Sequence, residues 1–449
     1  MRFKVIASLL MIGLHYSVMS QEQNQVDYTL QESIDYALEN NTSIINSAYE
    51  KEIAETQVGE TLSQGLPQAN VEAGINYNFE PQKSLIDIST FDPSVPEGTE
   101  QEVSFQQRYD GNINLNVRQL IFDGSFFVGL QASKTFKELS SKEHIKTKID
   151  VVEAVSKAYY NVLVTEERFD LLQANLSRLD TLLEETSLMF ENGFAEKIDV
   201  SRLKVQYNNL KVQYDNTEEL LKVSKDLLKF QMGMPIGQPI MLSDNLDEIT
   251  LNTTLGDDFD YSQRIEYSQL QTNQALVNLD MKNNKVKYLP TLYANFNYGY
   301  NTQTSQSDQW FQSDRWLNYG FVGATLSVPI FDGFLKSNKI QKNKIEAKQI
   351  QESFQELENS IDLQIRQTKI NMNNALDEMA AQKENMELAK EIYDVTKIKY
   401  QEGVGSNFEV VEADTEYKEA QTNYYNALYD ALVAKVELEK AYGKLLDKN

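Results

Sequence analysis

The four-residue motif IFDG occurs twice in this chain. Its acid and glycine are Asp123 and Gly124 in the first copy and Asp332 and Gly333 in the second. A carboxylate beside a glycine can serve as a direct ligand, or it can cap a helix by accepting backbone N–H groups. Glycine adds the backbone freedom that a sharp change of direction needs. Each copy follows a strand-like segment and precedes a long stretch typical of a helix, so we interpret both as architectural junctions without a catalytic role.

Other residue types that carry chemistry are scarce. The 449 residues include no cysteine and only two histidines, His15 and His144. Cysteine nucleophiles, thiolate metal sites and disulfides are thereby excluded, and a lone His144 in a helical pattern is expected to be packed or solvated. The chain contains no Walker A, Rossmann, HExxH or GxSxG pattern. We therefore predict that the protein is not an enzyme and has no catalytic residue, no cofactor and no metal site.

Charge and hydropathy limit the partners. The formal net charge is −25, and a strongly acidic chain lacks the Lys and Arg patches that phosphate contacts require, so we predict no nucleic-acid partner. Beyond the N-terminus, no apolar stretch approaches the length of a transmembrane helix. If the chain enters a membrane, a β-barrel is the remaining possibility.

The N-terminus has the pattern of an export signal. Arg2 and Lys4 form a positive region, and the apolar run that follows is shorter than a bilayer-spanning helix. Val18 and Ser20 suit the positions before a cleavage site. We predict a signal peptide at 1–20.

The rest of the chain consists of two similar internal repeats. Each half carries the order helix, proline, strand, polar loop, strand, IFDG, long helix, glycine turn, long helix. We expect a first repeat at 21–236, an equatorial linker at 237–256 and a second repeat at 257–449. The expected strands lie at about 70–80, 110–122, 291–301 and 318–331, and the expected long helices at about 125–190, 198–232, 334–401 and 407–443.

The long helical stretches almost lack breakers and place apolar residues at alternating steps of three and four. This strict 3.5-residue repeat predicts coiled-coil packing. The two longest stretches, of roughly 65–70 residues, would each run about 100 Å at 1.5 Å per residue. An ordinary fibrous coiled coil has the same pattern, and these segments alone do not exclude it.

The strand segments alternate between apolar and polar residues over roughly ten residues, which is typical of a transmembrane β-strand. A half-buried soluble sheet alternates in the same way. Four strands cannot close around a water-filled lumen, so closure would require several chains. In the membrane interpretation, one set of side chains faces lipid (Ile75, Leu115, Phe296, Leu326) and the other faces the lumen (Asn76, Asn116, Asn297, Thr325).

The combined pattern resembles the TolC-like family of outer membrane efflux proteins. The resemblance covers nearly the whole mature chain and rests on the duplicated plan, the Pro67 and Pro290 junctions, the two IFDG words and the paired turns FENGFAEKIDV and YQEGVGSNFEV. It implies a mixed fold of four transmembrane β-strands and long coiled-coil helices per chain. A homotrimer would form a 12-stranded β-barrel continuous with a periplasmic α-barrel, located in the cell outer membrane with a long periplasmic extension.

The implied function is a passive outer membrane exit duct of a tripartite efflux system. Its partners would be outer membrane lipid, a periplasmic adaptor protein and an inner-membrane pump, which would supply the energy and the choice of substrate. An outlet for type I protein secretion shares the same plan. A structural surface coiled-coil protein with small soluble sheets is the alternative from a different class.

The resemblance also implies roles for residues at the two glycine turns. Asp199 and Tyr400 match positions that hold a periplasmic entrance shut, and Glu409 and Glu412 match acids that line it; these two could equally be solvated first-turn acids of a helix. At the position of a basic latch residue found in part of the family, this chain has Gly405. The expected adaptor-contacting tips, which could also be plain helix caps, are Gly193, Phe194, Gly403 and Val404.

Overall fold

The structure, a computed structural model, describes residues 27–246, 249, 251 and 259–446. The predicted signal peptide at 1–20, with His15, lies outside the described residues, as does most of 247–258 in the predicted linker. The chain divides into two compact units. The turn unit contains the described residues of Met1–Asn41, Ala154–Asn252 and Ala375–Val433, and the sheet unit those of Thr42–Glu153, Thr253–Asn374 and Ala434–Asn449.

Four long helices dominate the described chain. Two of them, of 68 and 67 residues, are α3 (Gly124–Glu191) and α6 (Leu335–Gln401). Each is followed by a glycine turn and a second helix, α4 (Lys197–Met232) after the first and α7 (Asn407–Ala441) after the second. The stretches that the sequence leaves free of proline and nearly free of glycine are thus continuous helices, because nothing in them interrupts the backbone hydrogen bonds.

Short elements precede the strands in each half. The chain first forms β1 (Asp27–Tyr28), α1 (Leu30–Asn40) and α2 (Thr42–Ser63), and the second half begins with α5 (Ile265–Val286). In the turn unit, β1 pairs in parallel with β6 (Met241–Leu242). The carboxylate of Asp244 accepts the Leu30 N–H at 2.8 Å and the Tyr159 hydroxyl at 2.9 Å, so the polar groups at this junction are paired.

An antiparallel four-stranded sheet forms the centre of the sheet unit. Its strands are β2 (Gln68–Tyr77), β5 (Tyr109–Phe122), β7 (Thr291–Thr304) and β8 (Leu317–Ser327), in the spatial order β2-β5-β7-β8. The two halves of the chain therefore contribute two strands each, and they meet where β5 pairs with β7.

The register brings a set of apolar side chains from each of the four strands to one face. Val71 lies opposite Leu115, which lies opposite Tyr298 on β7, and Phe296 lies opposite Val322 on β8. Since paired residues in an antiparallel sheet point to the same side, the other face is mainly polar, although β8 adds Phe321 to it opposite Asn297. The predicted sets divide accordingly: Ile75, Leu115, Phe296 and Leu326 share the apolar face, and Asn76, Asn116, Asn297 and Thr325 share the polar face.

The side chains of the two faces differ in the contacts that they make within the chain. On the polar face, Asn297 donates to Asn116 across β5 and β7, and Asn295 donates to Thr325 at 2.8 Å. On the apolar face, large side chains remain exposed, with Ile75 at 63% and Val322 at 79%. The single chain therefore pairs several side chains of its polar face across the strands and leaves large apolar side chains exposed on the other face.

The strands differ from the sequence prediction in several details, among them the bounds of β2 and of β7, which extends to Thr304. The fourth strand was expected to continue to 331 but ends at Ser327, and Pro329 lacks the N–H that a ladder needs. The polar loop between β2 and β5 contains an unexpected hairpin, β3 (Lys83–Asp87) paired with β4 (Glu100–Ser104). These two short strands were not predicted, because their residues are mostly polar and show no clear alternation.

The core of the turn unit is built from apolar side chains of the four long helices. Leu179 and Leu182 of α3 pack with Leu203 and Leu210 of α4 and with Tyr393 of α6, and the same cluster includes Val410 and Ala413 of α7. Alanine and leucine at these positions allow close helix contact. Among the described residues, the structure contains no helix that is both long and apolar enough to span a membrane.

Candidate functional site at the two glycine turns

Both glycine turns close a long helix with the same backbone motif. In the first turn, Gly193 has a φ of 81°, and the N–H of Phe194 donates to the Met189 carbonyl at 2.8 Å. In the second turn, Gly403 has a φ of 76°, and the N–H of Val404 donates to the Lys399 carbonyl at 3.0 Å. These bonds and the left-handed glycine define a Schellman cap, which is why glycine is needed here.

The residue after each of these glycines is strongly exposed. Phe194 is 81% exposed and Val404 is 79% exposed. An exposed apolar side chain at the tip of a turn has no packing role inside the chain, so these two residues are available to a partner. The cap and the predicted tip role are thus compatible, as the same four residues provide both.

The helix that follows each turn begins with an acid in the same place. The N–H of Glu196 donates to the Asp199 carboxylate at 3.2 Å, and the N–H of Ser406 donates to the Glu409 carboxylate at 3.4 Å. Ser406 also accepts the Glu409 N–H at 3.3 Å, completing a capping box at the start of α7. The acids at the predicted entrance therefore have a local role at the helix N-terminus, where negative charge is also favourable.

The structure does not join the predicted pair Asp199 and Tyr400. Asp199 has Arg202 as its cationic neighbour at 3.8 Å on the same helix. Tyr400 packs against the apolar cluster of the turn unit. Within the described residues of this single chain, no hydrogen bond links the two side chains. A link between neighbouring coiled coils stays a prediction, and so does the entrance role of the exposed Glu412.

The two IFDG junctions differ in how they use their glycine. Asp123 accepts the Ser125 N–H at 2.7 Å, and a Cβ on Gly124 would lie 2.9 Å from the Cβ of Val286. Gly124 is thus required for close packing, which corrects the prediction that it serves a sharp turn. Gly333 does serve a turn, with a φ of 65°.

Asp332 has more partners than its copy. Its carboxylate accepts the Lys336 N–H at 3.0 Å and lies 2.8 Å from the Lys336 ammonium. The hydrogen bond from the Lys336 side chain, followed by that from its backbone, holds the pKa of Asp332 below its ordinary value. Both junction acids therefore cap a helix start.

His144 is packed in the sheet unit. Its Nδ1 lies 2.7 Å from the Ser47 hydroxyl, and burial lowers the pKa of the imidazole, as do nearby lysines. In the described part of the chain, no group of three or more His, Asp or Glu side chains is arranged to hold a metal ion.

One cluster of polar residues in the turn unit is not predicted by any pattern in the sequence. Arg178 of α3 donates to Asp414 of α7 at 2.9 Å, although 236 positions separate the two residues. Each falls among polar residues of a long amphipathic helix, so no local pattern distinguishes them. A charged residue at a coiled-coil flank is the only signal that could have drawn attention to Asp414.

Comparison with known proteins gives consistent similarities. Residues 33–228 and 265–444 match the family described as outer membrane efflux protein. Over 427 residues, the chain is 20% identical to the outer membrane protein TolC of Vibrio cholerae serotype O1, covering 94% of this chain and 92% of that protein.

The fold is also similar to those of solved outer membrane channels. The CmeC channel of Campylobacter jejuni superposes with a TM-score of 0.68 at 16% identity, covering 99% of this chain and 94% of that one. The MtrE channel of Neisseria gonorrhoeae, solved in its open state, gives a TM-score of 0.72 at 16% identity, covering 93% and 89%.

Proposed function

Because the chain belongs to the outer membrane efflux protein family, we propose that it is the passive exit duct of a tripartite efflux system, carrying small molecules across the periplasm and outer membrane. The family match confirms the resemblance noted from the sequence. It also places the protein in the cell outer membrane with a long periplasmic extension.

The observation that carries the proposal is the two-faced sheet. Its apolar face extends over four strands with exposed side chains, and its mainly polar face carries asparagines, of which Asn297 donates to Asn116 and Asn295 to Thr325. A surface with these two faces suits a wall between lipid and water. Four strands from one chain are too few to enclose a lumen. We therefore propose a homotrimer whose twelve strands close one barrel, with lipid outside and solute inside.

The long helices extend the proposal to the periplasm. Helices of 68 and 67 residues each span about 100 Å at 1.5 Å per residue. In a trimer they would line a tunnel that ends at the glycine turns. Phe194 and Val404 would then contact the periplasmic adaptor, because both are exposed and apolar at the tips. The energy for transport would come from the inner-membrane pump bound through that adaptor.

The proposed entrance lies beside the same turns. Asp199 and Tyr400 would link neighbouring helix pairs of the trimer, and Glu409 and Glu412 would form rings of negative charge at the constriction. Rings of acids favour cations over anions in a narrow pore. The capping role of Asp199 and Glu409 supports this placement, because a helix cap fixes where the carboxylate lies.

The experiment that tests the proposal combines mass and conductance. Detergent-extracted protein should be a trimer by light scattering, and the same sample should form ion-conducting channels in planar bilayers. A monodisperse monomer that still conducts would contradict the trimeric barrel. A protein that dissolves in buffer and forms no channels would contradict the duct itself.

Partner capture then tests the tripartite assembly. Envelope proteins cross-linked in cells should include a periplasmic adaptor and an inner-membrane pump. Recovery of the chain without any inner-membrane partner, under conditions that retain the trimer, would contradict this part of the proposal.

A further inference from the structure

An ionic network inside the turn unit joins three helices. The guanidinium of Arg178 on α3 donates to the Asp414 carboxylate on α7 at 2.9 Å and to the Asn175 side-chain oxygen at 2.9 Å. The Asp414 side chain is only 6% exposed. A buried carboxylate costs free energy unless it is paired and hydrogen-bonded, so this contact constrains both helices.

Further groups complete the network around these two residues. Lys418 forms a second ion pair with Asp414. The amide of Asn175 donates to Gln421 of α7 at 3.0 Å, and both residues are buried. The helices α3 and α7 are therefore held by two adjacent polar contacts in one register.

Aromatic rings extend the network to α6. The guanidinium carbon of Arg178 lies 4.7 Å from the centre of the Tyr393 ring on α6 and 5.7 Å from that of Tyr417 on α7. The two rings are stacked, with their planes 19° apart. Arg178 thus contacts both helices of the second helix pair, with an ion pair on one and a cation–π contact on the other.

The first repeat does not have the acid on which this network depends. Asp414 corresponds in the first repeat to Lys204, because FENGFAEKIDVSRLKVQY (190–207) aligns with YQEGVGSNFEVVEADTEY (400–417). Lys204 is exposed, whereas Asp414 is buried. The coiled-coil packing common to both halves therefore does not require an acid at this place.

We propose that Arg178 is a positioning residue that keeps α6 and α7 held against α3 and thereby keeps the entrance at the glycine turns narrow. This inference rests on the proposed function as a duct. Arg178 lies about 20 Å along α3 from the end of the helix at Glu191, at 1.5 Å per residue. Opening at the turns would displace α6 and α7 relative to α3, and this would leave Asp414 without its guanidinium partner.

The chemistry of this ion pair, in which Asp414 is buried and the Arg178 side chain is 29% exposed, favours this role over simple stabilisation. Apolar residues of similar volume would often stabilise the same contact as well or better. A directional ion pair with a planar guanidinium, by contrast, fixes one helix register, since a small slide separates donor from acceptor. The arrangement therefore suits a contact that distinguishes two positions of a helix pair.

The test compares single-channel recordings of four proteins in planar bilayers: the wild type, Arg178→Gln, Asp414→Asn and the double variant. Removing either partner should raise the fraction of time that the channel is open by about tenfold. The contact that favours the narrow entrance would then be absent. The double variant should open no more than the single ones, because both remove the same contact.

Arg168→Gln is the matched control. Arg168 lies on the same helix and donates to Asn426 of α7 at 3.2 Å, but its partner is a neutral side chain. This control should conduct like the wild type. If Arg178→Gln does not assemble, Arg178→Lys, which keeps the charge and loses the planar fork, should show a smaller increase in opening.

The outcomes separate the two levels of inference. A wild-type protein without channel activity would overturn the proposed function and this inference with it. A conducting wild type together with Arg178→Gln that behaves like Arg168→Gln would overturn the inference alone. Additive effects of Arg178→Gln and Asp414→Asn would also overturn it, because the two side chains would then act separately.

Discussion

Asp199 and Glu409 occupy the same position in two copies of one turn: each carboxylate accepts the backbone N–H of the residue three positions before it, at 3.2 Å and 3.4 Å. The local role is therefore shared by the two acids, whereas their proposed roles at the entrance differ. Variants that test the entrance should therefore keep a side-chain oxygen at positions 199 and 409 to accept this N–H. An amide keeps an oxygen in that place and removes only the charge.

The first prediction concerns ion selectivity. Glu409→Gln with Glu412→Gln should reduce the preference for cations, because the proposed rings of negative charge would be gone. The reversal potential in a salt gradient measures this preference. The matched control is Glu218→Gln with Glu219→Gln, which removes two exposed acids beside Lys222 on α4. Equal shifts in both double variants would place the selectivity elsewhere.

The second prediction concerns the link between helix pairs. Asp199→Asn with Tyr400→Phe should raise single-channel conductance, since a hydrogen bond to a charged acceptor is worth roughly 1.5–3 kcal/mol and threefold symmetry would repeat it. Asp199→Ala would also remove the acceptor of the Glu196 N–H at the start of α4, so asparagine is the better replacement. Unchanged conductance would move the constriction away from these two residues.

The third prediction uses the two faces of β5. Leu115→Arg should destabilise the barrel by about 2–4 kcal/mol near the membrane midplane. Asn116→Arg, one residue along the strand, should have little effect on stability and should alter conductance. Urea unfolding from lipid vesicles gives the first quantity. Equal losses of stability from the two variants would show that the proposed lipid and lumen faces are wrongly assigned.

The fourth prediction concerns the adaptor. Phe194→Asp with Val404→Asp should abolish adaptor capture after cross-linking, because an exposed apolar contact would be replaced by charge. The conductance of the purified channel should not change. Phe230→Asp is a suitable control, as Phe230 is also strongly exposed but lies near the other end of α4. Undiminished capture by the tip variant would exclude these residues from the contact.

The fifth prediction concerns pH at the second junction. The folded state holds the pKa of Asp332 below its ordinary value of 3.8. The contribution of this group to stability is therefore present above that pH and is lost as the pH falls through the lowered pKa. The difference in Tm between the wild type and Asp332→Asn should be largest near neutrality and should shrink in strong acid. A difference that grows in acid would have the wrong sign.

Much of the architecture is local and could be predicted from the sequence. Stretches free of proline become α3 and α6, because helix hydrogen bonds form between residues four apart. Alternation of asparagine and apolar residues gives the two faces of each strand, because side chains in a strand point alternately to opposite sides. Gly193 and Gly403 end helices because few other residues adopt a left-handed backbone.

Only the tertiary structure decided which distant residues meet. Gly124 and Gly333 follow the same three residues in the repeated IFDG sequence, yet the first glycine is required by the approach of Val286 and the second by a positive φ. The pairing of Arg178 with Asp414 has no local signature either. Both depend on how separate helices approach one another, and that geometry arises from the packing of many side chains together, which periodicity in one segment does not contain.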